Sequence, residues 1–543
     1  MRRHRVGLVA SVAAIALLAA PIANASAPPP GWSAITAVPG TAGWLDVTSA
    51  TAPNGTNVLI NIGTDPDSTY EIDALVQRAG ATSWTAVPPR VKEQPGIEST
   101  WLTAAPNGTF WLAWRSTGPV PEVYAMNLNP ATKKWTRPVQ VFHDAGFGHT
   151  SPQIAVAGDG TVGIAVSAQP TTYSDPPVYR IEVAMLRPGK GWKTHFMTPA
   201  DAFASDESIA ANATGEFAVS WLQGYTDTVV AAATRATGAS APWHTATLSV
   251  ANDSQREHLA IGADGTVAVA WSAPTFSQSA ERLSTTRIGT GVPRWKRRNL
   301  VASVTAALDA FPVVYNNGDV TVVWGEGTTT AQSLWAATLA AGALSAPVQL
   351  SPVGNTSYVA ALGLRPDGRA ALLYQRFSGT PDNEGMSYIS FAHGVMGPTL
   401  ELTDLAGDAS YPDSLGIDAE SENNVFLEHG TYPDTDLTWM TNRLSRPSVM
   451  TSAYSGHAVA RARISGHLRV GRTLHCVTGL WVGARSVHYS WLRNGKKIAH
   501  HTARKYRVAH ADLHKHLSCT ATGSNTAGGH RTVKSKKHLI KQR

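Results

Sequence analysis

Apolar and polar positions alternate in short runs along most of the chain, and the runs are broken by turns of one recurring type. The clearest copy is Ala263-Asp264-Gly265-Thr266-Val267-Ala268-Val269-Ala270-Trp271, an Asp-Gly turn feeding an apolar run that ends in tryptophan. Gly accepts the positive φ that a hairpin turn needs, and a short apolar run bounded by turn residues suits a buried strand. The phrase returns with drift as Pro53-Asn54-Gly55-Thr56, Pro106-Asn107-Gly108-Thr109 through Trp114, Gly158-Asp159-Gly160-Thr161, Ala213-Thr214-Gly215-Glu216 through Trp221, Asn316-Asn317-Gly318-Asp319 through Trp324, and Pro366-Asp367-Gly368-Arg369 through Tyr374. The copies lie about 52 residues apart, which is the signature of a repeat architecture.

A second tryptophan-marked strand runs through the same repeat: Gly31-Trp32 to Val38, Ser83-Trp84, Lys134-Trp135, Gly191-Trp192, Pro242-Trp243 and Arg294-Trp295, then Leu344-Ser345 without tryptophan. A strand precedes each turn, as in Gln153 to Val156 and His258 to Ile261, and a further one follows a variable loop, as in Tyr179 to Ala184 and Ser333 to Thr338. Four hairpin-linked strands per repeat, with no helices between them, are the content of one propeller blade. The expected fold is therefore all-β, a β-propeller over residues 31–450. It has about eight blades if the eroded copy at Glu422 to Leu427 counts, and seven if that copy is linker. The Trp32 stretch precedes the first turn, so it is expected to pair into the last blade and close the ring, removing the open sheet edges.

Composition agrees with an all-β chain: 15% charged residues, 47 Gly and 17 Trp in 543 residues. At the N-terminus a basic head, Met1 to Arg5, an apolar body, Val6 to Ala20, and the small residues Ala23 to Ala27 read as a secretory signal peptide over 1–27. Its apolar run is too short for a membrane span, and no later segment is long enough, so an exported chain without a transmembrane segment is expected. Charge divides the chain in two. Residues 456–543 hold 18 Lys and Arg against one acid, Asp512, and so carry +17; the total is +7, which leaves −10 on residues 1–455. Two units of opposite charge joined by a linker over 451–460 follow.

The second unit, 461–543, contains both cysteines of the chain, Cys476 and Cys519, with Trp491 between them. A Cys, then Trp, then Cys at these spacings is the core pin of an immunoglobulin-like sandwich, in which the indole packs on the inter-sheet disulfide, and export favours that disulfide. The segment resembles the small Ig-like domains of secreted actinobacterial proteins at Gly466, Gly471, Tyr489, Trp491, Gly495, Asp512 and Leu517, with Leu517 where many Ig domains carry a corner tyrosine. That resemblance implies an adhesive or spacer module, here ending in a short basic tail. The repeat region resembles secreted bacterial β-propellers. Sialidases share such turns, but their Ser-x-Asp-x-Gly-x-x-Trp motif is not met: Ala157, Gly262 or Arg365 stands in place of Ser, and Trp falls six residues past Gly.

Motifs of catalysis are missing: serine-hydrolase elbow, Walker loop, HExxH and metal-spaced cysteines. The acid-rich stretches Asp65 to Asp73, Asp418 to Glu422 and Asp434 to Asp436 lack the Gly and closing Glu of an EF-hand and read as solvated loops. Glycosidase chemistry needs two carboxylates on one substrate. Asp206-Glu207, Glu326, Glu384 and Glu428-His429 are the candidates, and sequence singles out none, so no catalytic residue, cofactor or metal ligand is assigned. The repeated tryptophans read as core packing rather than sugar platforms. The expectation is a monomeric, secreted or wall-associated binding and adhesion protein whose propeller loops take a ligand. Its basic domain would dock on anionic cell-wall polymers or glycans, with no specific nucleic-acid partner. The alternative is a carbohydrate-active propeller, glycosidase or lyase.

Overall fold

The computed structural model describes residues 36–542 apart from internal segments, the longest being 39–46, 88–96, 378–383, 444–461 and 478–485; between 400 and 443 only backbone strands are described. Residues 1–27, Trp32, the linker 451–460, residues 65–69 and 418–421, and Asp434 lie outside the described residues.

Each repeat folds as one antiparallel sheet with its strands in sequence order. The fifth, for example, runs Gln255–Ile261, Thr266–Pro274, Ser279–Arg287, Lys296–Asn299. Among the described residues eight such sheets lie within 36–443. The eighth takes its outer strand from the other end of the repeat region: Thr36–Ala37 pairs antiparallel with Asp436–Arg443, Thr36 opposite Trp439. First strands of successive sheets lie side by side, and that of the eighth, Tyr411–Ile417, lies against that of the first, Val47–Thr51. The expected closing pair therefore forms at Thr36–Ala37.

The turn phrase explains this regularity. Gly265 sits at φ 84° and donates to Gly262 O at 3.1 Å, while Asp264 Oδ1 accepts from Thr266 N at 2.9 Å. An amide oxygen serves equally: Asn54, Asn107 and Asn317 accept in the same way from Thr56, Thr109 and Asp319. Where the fourth sheet has Thr214, Asn212 takes over and accepts from the backbone N–H of both Thr214 and Glu216. Neighbouring turns also nest. A Cβ on Gly318 would lie 2.6 Å from Asp264 Oδ2 of the preceding sheet, so that glycine is required for space as well as for φ 86°.

The tryptophans that end the phrase form the inter-sheet cores. Trp114, Trp271 and Trp324 are wholly buried and Trp221 nearly so. Each packs into the preceding sheet: Trp114 with Ile60, Trp221 with Val183, Trp271 with Leu222, Trp324 with Ala270. Burying an indole removes on the order of 200 Å² from water, about 5 kcal/mol at ~25 cal/mol per Å².

Residues 463–539 form a separate pair of sheets. One contains Arg463–Ser465, Thr473–Val477 and Lys505–Arg507; the other is built on Ser486–Arg493 and His516–Ser524. Cys476 of the first sheet is bonded to Cys519 of the second, with Cα atoms 6.0 Å apart. Trp491 is buried beside the bridge and stacks on Tyr506, centroids 5.2 Å apart. Asp512, the sole acid of this unit, is wholly buried, where it accepts from Arg493 Nε at 2.6 Å, Tyr506 OH at 2.6 Å and Ala509 N at 2.7 Å. Burial first, then the Asp512 bond, push the Tyr506 phenol up to about 12. Among the described residues no helix is long and apolar enough to cross a membrane.

Candidate functional site

Of the acids singled out in the sequence, Asp206 and Glu207 are brought to a cavity. They occupy a β-bulge in Ala204–Ala211, where Ser205 pairs with Leu222 and Ser208 with Ser220, so that two residues face one. The bulge holds Asp206 at φ 54°, and its side chain is exposed. Glu207 turns the other way, into the gap between the third and fourth sheets. Ser167 Oγ donates to its Oε2 at 2.6 Å and Thr150 Oγ1 to its Oε1 at 3.0 Å, and Thr150 Oγ1 accepts from Ser167 N at 2.8 Å. Burial raises the Glu207 carboxyl above its ordinary value, against the opposing effect of these hydrogen bonds.

The cavity, about 340 Å³, lies between the two sheets and is lined by these residues together with Tyr179 and Phe203. Tyr179 is held by a backbone clamp: its N–H donates to Ala202 O and its carbonyl accepts from Ala204 N, both at 2.9 Å. Phe203 meets Tyr179 edge to face at 4.9 Å and Tyr225 at 5.1 Å. Tyr225 is 64% exposed and stands outside the cavity lining, so it continues the Tyr179–Phe203 pair, which shares the cavity wall with Asp206, out toward solvent.

A third acid stands behind the pair. Glu257, eight residues before Gly265 as Glu207 is before Gly215, is buried against the fourth sheet and accepts from Ser220 Oγ at 2.9 Å. Burial first, then the charges of Asp206 and Glu207, push its carboxyl well up. Reading the repeats in register would have found it, since Glu recurs at one position in consecutive copies. Tyr179, Phe203 and Tyr225 carry no such signal, because they come from three loops that meet only in the fold.

Glu326 belongs elsewhere. It accepts from Trp324 Nε1 at 2.7 Å in the sixth sheet, and its neighbourhood contains Glu281, which accepts from Ser272 Oγ at 3.0 Å. Glu281 is wholly buried; burial, with Asp309 and Glu326 adding to it, raises its carboxyl to about 8. Glu384 opens the strand Glu384–Ala392 and Glu428 and His429 close Glu422–His429, with side chains outside those described. Among the described residues no three His, Cys, Asp or Glu side chains are grouped to hold a metal ion.

Sheet order and site together define an all-β repeat protein of β-propeller-like fold with a disulfide-bridged second unit. No family model matches the chain, and no curated protein is similar to it in sequence. Solved structures to which it is similar include a prolyl endopeptidase (12% identity, TM-score 0.42), aligned over 71% of this chain and 54% of that one, so the chain spans about half its length. Others are the polysaccharide lyase Uly1 (10% identity, TM-score 0.38, 65% of this chain and 90% of that one) and the β-propeller domain of the Trilobed protease from Pyrococcus furiosus (8% identity, TM-score 0.36, 67% and 98%).

Proposed function

We propose that the chain is an exported eight-bladed β-propeller with a C-terminal Ig-like module, and that it binds a glycan in the cleft between its third and fourth blades. The observation that carries this reading is the aromatic pair Tyr179 and Phe203, which lines the cavity together with the exposed Asp206 and is continued toward solvent by the ring of Tyr225. An aromatic face takes the apolar face of a sugar ring, and a carboxylate accepts from its hydroxyls. Binding rather than turnover is favoured because both oxygens of Glu207 are already occupied by Ser167 and Thr150. The basic Ig-like module, with its 18 Lys and Arg, would hold the protein on an anionic surface polymer of the cell wall.

Calorimetric titration of the full chain with neutral oligosaccharides tests the cleft. Tyr225→Ala and Asp206→Asn are each expected to weaken binding about tenfold, with the melting curve unchanged because both side chains are exposed. Undiminished binding by both variants would remove the cleft from the reading. One observation favours the enzymatic alternative: burial raises the Glu207 carboxyl above its ordinary value, the direction that a general acid requires. Release of new chain ends from the oligosaccharide by the wild type, abolished in Glu207→Gln, would establish that alternative instead.

A further inference from the structure

The opposite end of the same two sheets carries a groove of different chemistry. Arg235 closes Val229–Arg235 opposite Phe217, beside the Gly215 turn, whereas Asp206 lies at the far end of the sheet. There the last strand of the third sheet, Trp192–Phe196, and that of the fourth, Trp243–Thr247, stand apart around a space of about 690 Å³. Arg187, Lys190, Lys193, His195 and Arg235 line it, and among the described lining residues there is no acid.

Two of these cations are fixed and three are not. Arg187 Nη2 and Arg235 Nη2 both donate to Gly238 O, at 3.0 and 2.8 Å, and Arg235 Nε donates to Ala241 O at 3.1 Å. Arg235 is only 6% exposed. The side chains of Lys190, Lys193 and His195 make no hydrogen bond or ion pair among the described residues. In the second sheet the corresponding Trp135 donates to Val87 O of the preceding sheet at 2.6 Å. Here the buried N–H of Trp243 has no partner among the described residues. Four permanent positive charges thus converge in a stretch of chain, residues 1–455, that carries a net −10, and no carboxylate is among the described residues that line the groove. Burial, then Arg235, Lys193 and Arg187, push the His195 imidazole down; burial and Arg187 do the same to Arg235, with Asp159 the one opposing charge.

We propose that this groove is a second binding site, distinct from the aromatic cleft, and that it takes the carboxylates or sulfate esters of an acidic oligosaccharide. A polymer is favoured over a lone anion because the same end of the fifth and sixth sheets has a second space, about 680 Å³, where Arg294, Lys296 and Arg298 stand alongside Asp319 and the Arg287–Asp264 pair. A chain with regularly spaced charges finds successive seats there. The disulfide fits an extracellular protein, and outside the cell acidic glycans rather than nucleic acids are the common polyanions.

The test must separate this groove from the basic C-terminal unit, so it uses a local readout. Full-length protein is titrated with an oligouronate, a sulfated oligosaccharide, inorganic sulfate and a DNA oligomer while the His195 ring resonances, assigned with His195→Gln, are followed. Either oligosaccharide is expected to shift His195 saturably and to raise its titration midpoint, since a bound anion favours the imidazolium. Lys190→Gln with Lys193→Gln should weaken that response about tenfold while leaving neutral-sugar binding at the Tyr225 cleft intact. Bulk binding without any His195 response would assign the acidic ligand to the C-terminal unit and overturn the proposal. A response to sulfate equal to that of the oligosaccharides, or a stronger one to DNA, would also overturn it.

Discussion

At the scale of the residue, the turn phrase separates two jobs that one glycine performs. Gly318 and Gly342 both have φ near 85°, but a Cβ on Gly318 meets Asp264 Oδ2 and Thr266 Oγ1 of the neighbouring sheet, whereas one on Gly342 meets nothing within 4 Å. Gly342→Ala is expected to cost about 1 kcal/mol, the left-handed backbone alone. Gly318→Ala adds a clash, so a loss of roughly 2 to 4 kcal/mol is expected. Denaturant melts of the two variants check this, and equal losses would mean that the nested Asp264 yields freely. The Asp of the phrase is replaceable because its work is to accept one backbone N–H, which Asn54 or Asn317 does as well.

At the scale of the element, the strand Thr36–Ala37 has the greatest leverage for its length. It supplies the outer edge of the eighth sheet from a position 400 residues away along the sequence, between Thr36 and Trp439. Deleting residues 28–38 is expected to lower the midpoint of thermal unfolding and to expose the edge of Asp436–Arg443, read as a concentration-dependent rise in light scattering. A variant that melts and scatters as the full chain does would show the closing pair to be dispensable. This pairing was legible in the sequence because the Trp32 stretch is half a repeat without its other half. So were the turn glycines, the buried tryptophans and the Cys476–Cys519 bridge, all set by local chemistry or by there being two cysteines. The cleft was not. Asp206 reaches it through a bulge, and Tyr179, Phe203 and Tyr225 converge from loops whose meeting depends on how two sheets pack.

At the scale of the whole molecule, buried glutamates tie stability to pH. Glu207, Glu257 and Glu281 each sit between or within sheets with carboxyls raised by burial, Glu281 to about 8. A carboxyl whose folded value lies above its unfolded value contributes stability fully below the unfolded value. That contribution is lost as pH rises through the folded one. The repeat unit is therefore expected to melt at a higher temperature near pH 5.5 than near pH 8.5, roughly the window that the Glu281 shift spans. Glu281→Gln should narrow the difference, and calorimetric scans at the two pH values measure it; an unchanged difference in that variant would assign the effect to other groups.

The closing pair also fixes how the molecule carries load. Thr36 lies opposite Trp439 and Ala37 opposite Thr438, so the chain enters this ladder at the same end at which Asp436–Arg443 leaves it toward the C-terminal unit. Tension between the two ends of the chain pulls that pair apart like a zipper, one hydrogen bond after another, instead of shearing all of them together. The ring is thereby built to give way first at its own clasp, while the cores around Trp114, Trp221, Trp271 and Trp324 stay packed.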